Sequence, residues 1–217
     1  MRVAFVGDLH GNTRVLKHLP KDVDRIIQIG DLGFIHNPER WPVPHTHGRE
    51  VEFIDGNHDS IDVLRAGSKD YTEKYAVNEN LTYIPRGHVE RLGNTLVGFM
   101  GGGESIDRAM RTPFVSWFPE ETIMAWQVRR MVKLVEEEWG GQLDVLVTHV
   151  PPIEVAHAIY PCVYHEFSIS SNEVSNLVAA LHPKKVICGH AHCSLNKMVN
   201  GVRVIVLNID EVLIEEL

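Results

Sequence analysis

Residues 51–59, Val-Glu-Phe-Ile-Asp-Gly-Asn-His-Asp, set a short apolar run directly before a glycine, an amide, an imidazole and a carboxylate. The run reads as a buried strand, so the polar group falls where that strand ends. The same grammar recurs on either side. Val3-Ala4-Phe5-Val6 precedes Asp8-Leu9-His10, and Arg25-Ile26-Ile27-Gln28-Ile29 precedes Gly30-Asp31. Val145-Leu146-Val147 precedes Thr148-His149, and Lys185-Val186-Ile187-Cys188 precedes Gly189-His190-Ala191-His192. Ligands of open α/β sheets collect at the carboxyl ends of strands, so five such ends are expected to converge in one crevice.

The residue types point to an ion. Asp8, Asp31 and Asn57 offer oxygen, and His10, His149, His190 and His192 offer imidazole nitrogen. That mixture suits borderline divalent metals: Mn²⁺ first, with Fe, Zn, Co or Ni as alternatives. Calcium or magnesium alone would want more oxygen, and structural zinc would bring thiolates. Seven donors exceed the roughly four to six that one first-row ion takes. A binuclear metal centre is therefore expected, its ions about 3.5–4 Å apart with Asp31 bridging. Gly7, Gly30, Gly56 and Gly189 precede ligands or near-ligands, where a missing Cβ lets the backbone turn sharply or approach an ion.

Taken alone, Gly30-Asp31 is an ordinary turn and Asp8-x-His10 is common; Gly-Asn-His-Asp and Gly-His-x-His are rarer, and the order of all five carries the reading. In that order the blocks resemble the calcineurin-like metallophosphoesterase family, whose pattern runs Asp-x-His, Gly-Asp, Gly-Asn-His-Asp/Glu, a single His, then Gly-His-x-His. The resemblance spans residues 8 to 192. It implies a four-layer αββα sandwich, two mixed β-sheets flanked by helices in an α/β class fold. It makes Asp8, His10, Asp31 and His192 ligands of one ion and sets Asp31, Asn57, His149 and His190 around the other. His58 is implied beside the substrate phosphate as electrophile or proton donor, with Asp59 as its orienting partner. The implied chemistry is hydrolysis by a hydroxide shared between the ions, formed because dications pull the pKa of bound water toward about 7. Proton delivery by His58 to the leaving alkoxide is expected to contribute roughly 100- to 10,000-fold.

Length and composition agree with one enzyme domain over residues 1–217. The chain is 44% hydrophobic, enough for a full core. A net charge of −8 offers no basic footprint for duplex nucleic acid, whereas small phosphoesters remain compatible because the metals supply local positive charge. Three cysteines, Cys162, Cys188 and Cys193, are odd in number and unpaired in spacing, which favours a reducing compartment; Cys193 is read as packing rather than ligating. With a strand beginning almost at the first residue, no signal peptide is expected. No apolar run approaches ~18 residues, so the expectation is a cytoplasmic hydrolase without a membrane span.

Alternating strand and helix signals fill the rest. Asn12 is expected to cap a helix through about Leu19, ended by Pro20, and Ser170 with Glu173 forms a capping-box pattern opening a helix to about His182. Pro119 to about Trp139, with Ile123, Trp126, Met131, Leu134 and Val135 and a closing Gly140-Gly141, reads as the longest helix. Asn200-Gly201 reads as a hairpin turn of the second sheet. The acidic end, Asp210-Glu211 and Glu215-Glu216, reads as a solvated terminus.

Two irregular stretches, residues 34–48 and 101–118, are expected to shape the substrate pocket. In the second, a glycine run precedes Arg108 and Arg111, which could bring guanidinium groups to a phosphate, with Trp117 or Phe118 stacking on a base. The plainer alternative is a structured loop with surface arginines and a packed aromatic pair. His36, His45 and His47 are read as solvated loop residues, and His18, His88, His157, His165 and His182 as surface or core histidines.

The Ser/Thr protein phosphatase branch continues Gly-Asp-x-Val-Asp-Arg-Gly and carries Arg before Gly-Asn-His-Glu. This chain instead reads Gly30-Asp31-Leu32-Gly33-Phe34 and Ile54-Asp55-Gly56-Asn57-His58-Asp59. The missing arginines count against that branch, and the compact size and Asp59 make the chain look more like the small bacterial and phage phosphodiesterases acting on nucleotides, cyclic nucleotides included. The alternatives are a phosphomonoesterase, protein phosphatases among them, and a catalytically silent metal-binding scaffold.

Overall fold

The computed structural model describes residues 1–34, 43–67, 73–160 and 169–217. Two mixed six-stranded sheets are flanked by helices. The first has β12 (Val212–Glu216), β1 (Arg2–Val6), β2 (Arg25–Gln28), β3 (Val51–Phe53), β5 (Leu81–Tyr83) and β4 (Tyr75–Asn78) in that order. The second has β10 (Leu195–Val199), β11 (Val202–Val206), β9 (Lys185–Cys188), β8 (Val145–Thr148), β7 (Thr95–Met100) and β6 (His88–Leu92). β1, β2 and β3 pair in parallel, as do β7, β8 and β9, so their carboxyl ends leave each sheet at the same edge.

Period-two side-chain alternation divides the apolar residues between faces. Val3 and Phe5 of β1 meet Val97, Phe99, Val145, Val147 and Ile187 between the sheets. Ala4 and Val6 face the other way, against Leu16, Leu64 and Phe53 on the outside of the first sheet. Met100, Leu146, Val186 and Val204 pack under the helices α2 (Ala125–Trp139) and α4 (Ile169–Leu181), which bring Met131, Val135, Val174 and Leu177. Three successive apolar layers separate four layers of backbone. The shorter helices are α1 (Ile61–Gly67) and α3 (Ile153–Ile159). No helix among the described residues is long and apolar enough to cross a membrane.

Several local expectations meet a tertiary competitor. Thr13–His18 is a 3₁₀ turn rather than an α-helix. Asn12 makes no side-chain cap; its amide reaches Asp210 Oδ2 at 3.3 Å. Ser170 lies inside α4, its Oγ donating to Glu104 Oε1 at 2.7 Å and accepting the Ile123 N–H at 2.9 Å, while Glu104 also receives the Ser170 N–H. The stretch from Pro119 begins with a 3₁₀ turn, Pro119–Glu121, and α2 proper starts at Ala125, where Gln127 Oε1 accepts the Met124 N–H. Its carboxyl end closes as expected at left-handed Gly140, with the Gly141 N–H returning to Val135 O at 2.9 Å.

Asn200 (φ 49°) and Gly201 (φ 84°) form the β10–β11 hairpin turn. The acidic end is the clearest correction. Residues 212–216 return to the first sheet as β12, antiparallel to β1, and Lys185 pairs with Glu215 across the sandwich. A largely buried, paired Glu215 thus stands where a solvated tail was expected, while Glu216 stays exposed. His36, Cys162 and His165, with most of the 34–48 loop, lie outside the described residues. Cys188 is a buried free thiol, and burial pushes it above the usual thiol range.

Candidate metal centre

The five polar blocks follow β1, β2, β3, β8 and β9, and the structure brings them together at one edge of the sandwich. Donor atoms of Asp8, His10, Asp31 and His192 lie within 4.8 Å of one another, as do those of Asp31, His149 and His190. Asp31 belongs to both groups. In the first, His10 Nε2 faces His192 Nε2 at 3.1 Å, and His192 Nε2 lies 3.2 Å from Asp8 Oδ2. In the second, His149 Nε2 lies 3.2 Å from His190 Nδ1, 3.2 Å from Asn57 Oδ1 and 3.4 Å from Asp31 Oδ1. Imidazole nitrogens and oxygens aimed at each other at these distances hold far more lone pairs than protons, and cations between them resolve that excess. The residues therefore fit two divalent ions.

Backbone geometry serves the same end. His10, Asp31, His190 and His192 all occupy the left-handed region, φ 44° to 64°, where non-glycine residues are uncommon. The first three are fixed by neighbours: Leu9 and His10 N–H donate to Asp31 O at 3.0 and 2.8 Å, and the His190 N–H donates to the Asp8 carboxylate at 3.1 Å. A Cβ on Gly56 would run into the Asp31 carboxylate, and one on Gly189 into that of Asp8, so both glycines permit the close approach. His149 Nδ1 lies 3.1 Å from Ile29 O; the ring is oriented by that carbonyl and turns Nε2 toward the cluster.

The electrostatics is that of interlocked opposite charges. Burial would raise Asp31, but His149 above all, with His58 and His190, outweighs it and holds the carboxyl well below its usual range. Burial would lower His149, yet Asp31 and Asp8 carry it up to about 10. His190 goes down to about 4 through burial and the charge on His149. His192 is raised, first by its hydrogen bond to Asp8.

His58 sits at the rim, its ring 4.8 Å from that of His10, while its backbone N–H donates to Asp31 Oδ1 at 2.8 Å. Burial lowers its pKa, with Arg111 and His10 adding to the effect against Asp31. The side chain touching its ring from the 101–118 stretch is Arg111, whose Nη2 lies 2.7 Å from His58 Nε2. Arg111 also donates to Asn57 O at 3.1 Å and pairs with Asp107 at 2.7 Å.

Asp59 departs from its expected role as the partner of His58. Its carboxylate, 2% exposed, accepts backbone N–H groups from Gly56 (2.8 Å), Gly33 (2.9 Å), Phe34 (2.8 Å) and Leu32 (3.3 Å). It ties the 56–59 turn to residues 32–34 instead of holding an imidazole. Burial and the Asp31 charge push it up to about 7, against the pull of the Gly56 and Phe34 donors.

A cavity of about 180 Å³ opens beside His58, lined by Asn57, Asp59, Ser60, Asp107, Arg111, Val115, Ser116 and Phe118 as well. Arg108 is not part of that lining; it lies on the short 3₁₀ turn Arg108–Met110. Phe118 is buried in the cavity wall, and Trp117 turns its indole N–H to Glu121 Oε1 at 2.9 Å. His45 and His47 pair with each other and with Thr13, apart from the donor clusters.

Sequence reasoning passed over Ser105 and Glu121, which back Asn57, and the Asp55–Arg86–Tyr83 group beneath them. Arg86 bonds Asp55 through Nε (3.0 Å) and Nη2 (2.6 Å) and reaches the carbonyls of Glu121 (2.9 Å) and Thr122 (3.0 Å). The one available signal was the run Gly101-Gly102-Gly103. A Cβ on Gly101 would meet Asp55 and one on Gly102 would meet Arg86, so the glycines mark a close approach behind the site.

No curated protein sequence matches the chain. Among solved structures, the Phosphopantetheinyl Hydrolase (PptH) from Mycobacterium tuberculosis is similar at TM-score 0.55 and 18% identity, covering 96% of this chain and 89% of that one. GAP50, the anchor in the inner membrane complex of Plasmodium, is similar at TM-score 0.51 and 14% identity, covering 96% and 71%. Identities this low speak for a shared fold alone. The sequence itself matches the family described as calcineurin-like phosphoesterase over residues 1–194. With that match spanning the five strands that carry the donors and every donor block at their carboxyl ends, the chain belongs to the calcineurin-like phosphoesterase family.

Proposed function

We propose that this chain, as one domain over residues 1–217, is a cytoplasmic hydrolase of phosphodiesters of nucleotide type, cyclic nucleotides included, with Mn²⁺ as resident metal. In this reading Asp8, His10, Asp31 and His192 hold one ion, and Asp31, Asn57, His149 and His190 the other. When bound, the ions supply Lewis acidity at the phosphoryl oxygens and an acidified water, with a pKa near about 7.

The chain's own groups do the rest. Arg111, in contact with the His58 ring, moves its guanidinium onto a non-bridging oxygen as substrate enters, which frees His58 Nε2. Once free, Nε2 takes up a proton from solvent, and His58 hands that proton to the departing ester oxygen. Asp59 ties the 56–59 turn to residues 32–34 by accepting the Gly56 and Phe34 N–H groups, and Phe118 walls off water on the leaving-group side.

The observation that carries the diester reading is the pairing of Arg111 with Asp107 at 2.7 Å inside the cavity lining. A monoester dianion there would want surplus positive charge, but Asp107 offsets much of that on Arg111. A monoanionic diester needs less, and the cavity beside His58 offers space for its second ester arm. The plain test is hydrolysis by chelated and Mn²⁺-reconstituted protein of bis(p-nitrophenyl) phosphate, p-nitrophenyl phosphate and 2′,3′- and 3′,5′-cyclic nucleotides. Metal-dependent turnover favouring diesters is expected. Turnover of monoesters alone overturns the diester assignment in favour of a phosphatase. Silence on every substrate favours a scaffold, a use of this fold consistent with the anchor role of GAP50.

A further inference from the structure

The Asn57 side chain carries two opposite ends on one planar amide, and only its oxygen can ligate a cation. Oδ1 faces His149 Nε2 at 3.2 Å, inside the donor cluster, while Nδ2 points back to Ser105 Oγ at 3.3 Å. Ser105 is fully buried and has a single hydroxyl proton to place. Two acceptors are in reach: Glu121 Oε2 at 2.8 Å and Asn57 O at 3.4 Å. The shorter contact, to a carboxylate, takes the proton, which leaves Oγ lone pairs for the Asn57 amide hydrogens.

Glu121 is in turn surrounded as an acceptor. Oε1 receives the Ser105 N–H at 2.6 Å and the Trp117 indole N–H at 2.9 Å, and its own backbone carbonyl is held by Gly103 N–H and Arg86 Nη2, both at 2.9 Å. Glu121 as a residue is 3% exposed, so few water molecules compete for its contacts. A row of hydrogen bonds with one direction thus runs from Asn57 Nδ2 through Ser105 to Glu121.

We propose that Glu121 and Ser105 are positioning residues that fix the orientation of the Asn57 amide, so that its oxygen and not its nitrogen faces the ion held with His149, His190 and Asp31. The inference rests on the reading of Asn57 as a ligand. Ser105→Ala removes the acceptor and leaves the amide free to flip. Glu121→Gln keeps the shape but sets an amide NH₂ where the Ser105 hydroxyl needs an acceptor, because both N–H donors hold the amide oxygen at the Oε1 position. Partners standing behind a metal ligand are typically worth about 10- to 100-fold in metal affinity.

The test is calorimetric titration of Mn²⁺ into the chelated full-length protein at pH 8.0, with thermal melting of the metal-free forms as a fold control. Wild type is expected to take two ions, and N57A to lose affinity at one. S105A should weaken that same ion about 10- to 100-fold, E121Q in the same direction, and neither should alter the other ion. The decisive arm is N57D, whose two carboxylate oxygens make orientation irrelevant: adding S105A to N57D should change the ion affinity less than twofold. Equal losses from S105A in the wild-type and N57D backgrounds would mean a merely structural role and overturn the proposal. Wild-type binding by both S105A and E121Q, with N57A still impaired, would overturn it too while leaving the centre intact. Wild-type binding by N57A would instead remove Asn57 from the ligand set.

Discussion

Replacing Arg86 by methionine should strongly destabilise the protein, because it leaves the wholly buried Asp55 carboxylate without its cation. Asp55 would lose the contacts from Nε at 3.0 Å and Nη2 at 2.6 Å and keep the Tyr83 hydroxyl at 2.8 Å. Stranding one member of a buried ion pair costs about 3–5 kcal/mol. The Thr122 carbonyl also loses a donor, at roughly 1 kcal/mol, while that of Glu121 keeps Gly103 N–H. The sum, about 4–6 kcal/mol, is a large part of the 5–15 kcal/mol typical of folded domains. Urea unfolding of chelated wild type, R86M, D55N and the double variant measures it. The double variant should be less damaged than the two single losses added, with a coupling of about 2 kcal/mol or more, since no orphan charge remains. An R86M cost below about 1 kcal/mol, or additive losses, would refute the picture of Arg86 as the tie between the 54–59 turn, the glycine run and residues 119–122.

Other consequences can be checked directly. H58A should keep its metal content by elemental analysis yet turn over diester about 100-fold or more slowly, and loss of metal together with activity would contradict the leaving-group role. D31A should lose both ions, because Asp31 belongs to both donor groups; retention of two per chain would break that assignment. R111A removes charge-assisted contacts of roughly 1.5–3 kcal/mol, an expected 10- to 100-fold fall in kcat/KM for bis(p-nitrophenyl) phosphate, read from steady-state kinetics. Burial pushes Glu121 from 4.5 to about 7, so the folded state holds this proton more tightly than the unfolded chain. The contribution is full below pH 4.5 and declines through pH 7, by about 3 kcal/mol, as the unfolded chain gives up its proton first. In metal-free protein the stability of wild type relative to E121Q should therefore fall between pH 4.5 and 8, and a flat difference would speak against it.

The donor chemistry was legible in the chain because each block is local: a strand-forming run, a glycine, then a side chain that ligates. The Asn200-Gly201 hairpin was legible for the same reason, since both turn residues favour positive φ. Misreadings arose where a local signal had a distant competitor. Asn12 looked like a cap, but Asp210 took its amide, and the Ser170 hydroxyl went to Glu104 in place of a helix end. The residues 212–216 looked like a solvated tail because the register that pairs them with β1 is set by chain more than two hundred residues away. Ser105 and Glu121 belong to no motif and acquire meaning only from standing behind Asn57. The sequence by itself therefore determined which atoms can bind metal and which runs become strands, since those properties reside in single residues and their nearest neighbours. The tertiary structure alone decided that five strand ends meet, that Arg111 and not Arg108 reaches His58, and which way an amide points. These depend on parallel register and side-chain packing, where the partner of each group is chosen by distance in space and not along the chain.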